Sequence, residues 1–300
     1  MYTAFVHATP PVPPGRRFFL LRGGATRVAS VRGVARASQT PPTEGGVSVR
    51  GLSKTYALSG QPLPVLQEIT FDVQPGEFVS FVGPSGSGKS TLLNILAGLE
   101  EPDRGVVTAG GSARRLGGVA YMPQRDVLLP WRSALENAIL GLEVKGVPRH
   151  ESRQWARELF AVAGLGGFED SLPSVLSGGM RQRVAFLRTV LTPGSVMLLD
   201  EPFGALDALT RSEMHEWLLG LWEHGDVMYN VSTTVVLVTH DVEEALLLSD
   251  RVYVLSPRPG RIRLVHEVSL PRPRTPALTT TEEFVRSKAA LLAAVRGEGA

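Results

Sequence analysis

Nine consecutive residues, Gly83, Pro84, Ser85, Gly86, Ser87, Gly88, Lys89, Ser90 and Thr91, fit the pattern G-x-x-x-x-G-K-[ST]. Glycines at these positions let backbone N–H groups turn inward around phosphate oxygens, and a helix that starts at the lysine directs its positive end at them. The Lys89 ammonium then reaches the terminal phosphates, and the Ser90 hydroxyl serves as an oxygen ligand for Mg²⁺. Further along, the apolar run "SVMLLDEP" ends in Asp200 and Glu201. A strand of this kind delivers its carboxylates to the edge where open α/β sheets bind ligands. There Asp200 can hold Mg²⁺ through water, and Glu201 can position an attacking water.

Two further polar residues close apolar runs. His240 follows "VVLVT", a placement from which it can reach a γ-phosphate, and Gln124 ends the short run "AYMPQ". A packing role for the histidine and a plain surface role for the glutamine fit the residues equally well. Trp131, in "LLPWRS", reads as packing. The stretch "LSGGMRQR", Leu176 to Arg183, carries no acid, cysteine or histidine. Ser177 is a helix N-cap type, and Gly178 and Gly179 clear side chains away from a helix N-terminus.

The elements that must position these groups follow from the apolar pattern. "VLQEITFDV" reads as a strand, Pro75-Gly76 as a turn, "FVSFV" as a second strand, and about Lys89 to Ala97 as a helix. Residues from about Leu135 to Leu191 read mostly as helices, with breaks near Gly146 to Pro148 and Gly164 to Gly167. "SVMLLD" and "TTVVLV" are continuous apolar strands, and strands of that texture alternating with helices indicate a mainly parallel sheet covered on both faces.

Composition narrows the class. Lysine and arginine exceed the acids by 31 to 29, so nothing calls for nucleic acid as a partner. Six of the arginines (Arg16, Arg17, Arg22, Arg27, Arg32, Arg36) lie in the first 43 residues, which hold no acid; the remainder has 25 basic against 29 acidic residues. Residues 1–45 read as a disordered leader or, being arginine-rich and acid-free, as an organelle transit peptide. The sequence has no cysteine, which excludes disulfides, thiolate metal sites and a thiol nucleophile. The longest apolar runs are of strand length, short of the roughly 20 residues a bilayer requires.

The ordered set Gly83 to Thr91, Gln124, "LSGGMRQR", "LLDEP", "GALD" (Gly204 to Asp207) and His240 resembles the ATP-binding cassette family over about residues 46–270. "LLPWRSALENAILGLEVKGV", "DEPFGALDALTR" and "LSDRVYVLSPRPGRI" further resemble its branch that energises import of nitrate, sulfonates, taurine and pyrimidine precursors of thiamine. The resemblance implies an α/β fold: a P-loop NTPase (RecA-like) core of mainly parallel sheet, an N-terminal antiparallel β subdomain, and an inserted helical subdomain at about 125–190. It gives an ATP-binding domain at 46–272 and a C-terminal tail with a short helix at 273–300.

It also implies ATP and Mg²⁺ as ligands, Tyr56 stacking on adenine, and Gln124 joining Ser90 and Asp200 at the metal. Glu201, His240, Lys89 and Gln124 would act on the terminal phosphate. Ser177, Gly178 and Gly179 of a second ATPase subunit would cover the nucleotide in a head-to-tail dimer, with Asp207 bridging the two subunits. Gln124 and "LLPW" would form the groove for a transmembrane permease, with Leu128, Leu129 and Trp131 exposed, and a solute-binding protein would act indirectly. The expected place is the cytoplasmic face of the inner membrane, or a plastid inner membrane if the leader is a transit peptide. The segment "DVMYNVS" (226–232) is longer than the family's usual link and is expected as a surface excursion. A soluble cassette ATPase of DNA repair or the ribosome would typically carry a long coiled coil or a second cassette, and neither is visible. A P-loop kinase or GTPase leaves "LSGGMRQR" unexplained.

Overall fold

The computed structural model describes residues 45–224 and 233–297. The basic leader and the 226–232 segment lie outside the described residues. The chain runs β1 (Val47–Leu58), β2 (Gln61–Val73), β3 (Phe78–Val82), α1 (Lys89–Leu96), β4 (Arg104–Ala109) and β5 (Ala120–Met122). A helical stretch follows: α2 (Ala134–Ala138), α3 (Leu140–Val144), α4 (Arg149–Val162) and α5 (Gly178–Leu191). Then come β6 (Val196–Asp200), α6 (Ala208–His224), β7 (Thr234–Val238), α7 (Val242–Leu248), β8 (Arg251–Leu255), β9 (Ile262–Glu267) and α8 (Glu282–Arg296).

One sheet is antiparallel, ordered β2-β1-β4; the other is ordered β5-β6-β7-β3-β8-β9 and is parallel except for its last pair. All five residues of β3 and of β7 are buried, as continuous apolar runs covered on both faces must be. Their side chains alternate between two cores, following the period of two along a strand. Phe78, Leu199, Val235 and Leu237 face the helical layer with Leu135, Phe160 and Phe186. Phe81, Leu198, Val236 and Val238 face α1 and the antiparallel sheet. An aromatic trio joins the sheets: Phe71 and Phe81 lie 4.9 Å apart, and Phe81 stacks on Tyr253 at 4.8 Å. Burial pushes the Tyr253 hydroxyl up to about 12, and it donates to the Asp72 carbonyl at 3.1 Å.

The expected helix from Lys89 and the breaks near Gly146 and Gly164 appear where the pattern placed them. The region after residue 272 differs from a tail with a short helix. α8 has fifteen residues, and its Phe284 and Leu291 are fully buried with Val82 and Val252. Ahead of it, the buried Arg274 donates to the carbonyls of Leu246, Leu247 and Ser249 at the end of α7. Apolar spacing in "EEFVRSKAALLAAV" carries this packing, but the sparse, alanine-rich stripe hides it in sequence.

Candidate functional site

The parallel order puts the carboxyl ends of β3, β6 and β7 side by side, and the turns that leave them carry the polar groups. The loop from Gly83 leads into α1, whose N-cap is Gly88 at φ 93° with no side-chain cap. That backbone is open to glycine, and a Cβ there would meet Leu66 Cδ2 at 2.6 Å and Val65 Cγ1 at 3.1 Å. The first N–H groups of the helix are thus left to an anion. Lys89 Nζ donates to the carbonyls of Gly83 (2.8 Å) and Pro84 (3.0 Å), holding the ammonium over the loop. Burial lowers its pKa, opposed by the carboxylates of Glu201 and Asp200.

Asp200 ends β6 nearly fully buried, and burial raises its pKa while the Ser90 hydroxyl and Lys89 act the other way. Its Oδ1 has no hydrogen-bond partner among the described residues, and neither does the buried Ser87 Oγ. Glu201 follows at φ 48°, a left-handed backbone that costs a non-glycine residue about 1–2 kcal/mol, fixed here by donation of its N–H to the Val238 carbonyl at 2.9 Å. The turn aims its carboxylate between two partners. Gln124 Nε2 donates to Oε2 at 3.0 Å, and His240 Nδ1 lies 3.4 Å from Oε1. Beside them a cavity of about 20 Å³, lined by Glu201, Thr239, His240 and Glu244 among others, has room for one water.

These groups open onto a cleft of about 640 Å³ that is also lined by Ser85, Gly86, Ser90 and Thr91 and by Tyr56, Leu63 and Val65. The Tyr56 hydroxyl donates to Glu100 Oε2 at 2.6 Å, which anchors the tip of the ring. An unpaired buried carboxylate oxygen, an adjacent hydroxyl and a side-chain amide make an all-oxygen donor set of the kind hard divalent cations take. The residues present fit Mg²⁺ together with a nucleotide.

Ser177, Gly178, Gly179 and Asp207 are not among the residues lining this cleft. Ser177 caps α5, accepting from the Met180 N–H at 3.2 Å, and Asp207 caps α6 through Thr210. Hydrogen bonds from the Thr210 N–H and hydroxyl hold the Asp207 carboxyl below its ordinary range. The arginines of α5 brace the loop next to Gln124: Arg181 bonds Asp126 Oδ2 at 3.0 Å, and Arg188 bonds the carbonyls of Asp126 (2.7 Å) and Val127 (3.0 Å). Pattern reading missed this clamp, since acid and base stand 55 positions apart.

Trp131, read as packing from its own stretch and as exposed under the resemblance, is 73% exposed, and Val127 is 55% exposed. Leu128 and Leu129, expected exposed, are half-buried, with Leu128 packed against the helical core. Arg258 lines the cleft and was not singled out in sequence, because its loop lies 169 residues from Lys89 in a "PRPGR" run without nucleotide-binding spacing.

A family model described as ABC transporter matches residues 66–204. The chain is 42% identical to the formylaminopyrimidine import ATP-binding protein ThiZ of Halalkalibacterium halodurans, over 78% of this chain and 89% of that one. It is 50% identical to the aliphatic sulfonates import ATP-binding protein of Rhodococcus jostii, over 70% and 79%. Among solved structures it resembles the dimeric structure of MJ0796, a bacterial ABC transporter cassette, with TM-score 0.66, 32% identity and coverage of 75% and 99%. A dimeric post-hydrolysis state of that cassette bound to ADP and Pi matches with TM-score 0.64 and 30% identity, over 75% and 99%. The chain belongs to the ATP-binding cassette transporter family, as an ATP-binding subunit with ATPase activity.

Proposed function

We propose that this subunit hydrolyses Mg-ATP to drive import of a small organic solute, of the sulfonate or pyrimidine class, through a permease that it joins on the cytoplasmic face of a membrane. The names of its relatives, import ATP-binding proteins for formylaminopyrimidine and for aliphatic sulfonates, support the solute class. No helix among the described residues is long and apolar enough to cross a membrane, so the path for the solute falls to partner subunits. A periplasmic or extracellular solute-binding protein would act on those partners.

The observation that carries the catalytic reading is the Glu201 carboxylate, held between Gln124 and His240 at the mouth of the phosphate loop. In this reading Tyr56 supports adenine, and the Gly83–Gly88 loop with Lys89 wraps the phosphates. Ser90, Asp200 and Gln124 hold Mg²⁺, which when bound neutralises charge on the phosphate oxygens. Glu201 orients a water for in-line attack and accepts its proton, and His240 steadies the γ-phosphate oxygens. Ser177 with Gly178 and Gly179 of a second copy close the exposed side, donating to the same phosphate in a head-to-tail dimer, and Asp207 meets the partner near each site.

The test is Glu201→Gln, which keeps size and removes the base. ATP-dependent dimers should accumulate while turnover falls about 10²-fold or more. Turnover within a few fold of the parent would sink the assignment of Glu201.

A further inference from the structure

The cleft contains a second cation whose mounting is more elaborate than its own bonding. Arg258 sits in the loop between β8 and β9, exposed, and makes no hydrogen bond or ion pair with a described residue. Neighbouring arginines are occupied: Arg251 pairs with Glu77 at 2.5 Å, and Arg261 donates to Gln67 at 3.3 Å. The Arg258 loop, by contrast, is fastened at several points. Ser256 and Arg261 close it, the Ser256 N–H donating to the Arg261 carbonyl at 2.9 Å and the Arg261 N–H to Ser256 Oγ at 3.0 Å. Gly260 donates to the Val65 carbonyl at 2.8 Å and accepts from the Gln67 N–H at 3.0 Å, adding a bridge to the edge of β2. A Cβ on Gly260 would lie 2.1 Å from the Ser87 carbonyl oxygen, so the hairpin rests directly on the phosphate loop.

The anchor fixes where along the cleft the guanidinium works. Val65 stands beside Gly88, next to Lys89, and two residues along β2 from Leu63, which pairs with Tyr56 of β1, so it lies between Tyr56 and Lys89. A nucleotide laid with its base at Tyr56 and its terminal phosphates at Lys89 presents its α-phosphate and ribose to that middle stretch. Among the described residues, Lys89 and Arg258 are the two lysine or arginine side chains lining the cleft, and Lys89 is held over the phosphate loop at the terminal end. A guanidinium is weakly hydrated and matches phosphate oxygens in two-point geometry.

We propose that Arg258 is a nucleotide contact that pairs with the α-phosphate and so sets affinity for the nucleotide independently of the base. The proposal rests on the reading of this cleft as the ATP site. Because the side chain bonds no described residue, its replacement leaves the fold as it is, and the effect appears only on binding.

The test is equilibrium binding of Mg-ADP and Mg-IDP to the full chain, to Arg258→Gln and to Arg258→Lys, by calorimetry. Arg258→Gln weakens both diphosphates about five- to twentyfold, and Arg258→Lys recovers part of the loss. Raising the ionic strength narrows the gap between parent and Gln variant. In turnover, KM for ATP rises while kcat stays within about twofold, as for a contact shared by ground and transition states. Affinities of the Gln variant within about twofold of the parent overturn the proposal. So does a loss seen with Mg-ADP and not with Mg-IDP, which places the contact on the base. A fall in the nucleotide-free melting temperature that parallels the loss also overturns it, since the effect is then on the loop. If the unsubstituted chain binds neither diphosphate, the assignment of the cleft itself fails, and that result is distinct from all the others.

Discussion

Asp200 is held in an environment that disfavours its own charge. Its folded pKa is raised above the ordinary 3.8, chiefly by burial. The folded state therefore binds this proton more tightly than the unfolded chain does, so the stability linked to it is complete below 3.8 and lost as pH rises through the folded value. Above that window the ionised carboxylate works against folding until a cation arrives. Asp200→Asn should raise the nucleotide-free melting temperature at about pH 8, and the gain should shrink as pH falls towards 4. Thermal scans across that range check it, and a variant no more stable than the parent at the upper end counts against the account. The sequence made Asp200 and Glu201 readable because an apolar strand ending in acids beside a phosphate loop has one geometry. It could not reveal the left-handed turn at Glu201, or that Gln124 and His240 reach the same carboxylate, since these depend on strand order.

At the scale of elements, the β8–β9 hairpin is the part whose role was hidden. The strands themselves are legible as short apolar runs, but the register that sets Gly260 against Ser87 and Leu66 is a tertiary outcome. Gly260→Ala should lower unfolding free energy by about 1–3 kcal/mol, as overpacking does, and weaken nucleotide binding as the loop shifts. Denaturant unfolding with parallel binding measurements tests this; unchanged stability would mean the contact with the phosphate loop is slack. The helical layer shows the same division. Its breaks follow from glycine and proline, whereas the clamp of Arg181 and Arg188 on Asp126 and Val127 joins residues far apart in the chain. That clamp ties the helix capped by Ser177 to the loop next to Gln124.

For the molecule as a whole, Ser177 lies outside the cleft its own chain builds. A mixture makes the composite site testable. Lys89→Ala chains and Ser177→Arg chains should each be inactive alone, whereas a dimer of one with the other would keep one intact pairing of phosphate loop and capping helix. Random mixing should restore about a quarter of the parent activity, since half the dimers are mixed and each has one good site of two. A mixture as inactive as its components would contradict the head-to-tail arrangement. The separation of Ser177 from its own phosphate loop also bears on how the protein behaves in a cell. A free subunit meets another only by diffusion, at whatever dilution the cell provides. Two subunits seated on one permease are tethered neighbours, at an effective concentration on the order of millimolar. On the head-to-tail reading, assembly on the membrane partner would itself turn ATP consumption on, and unassembled copies would idle.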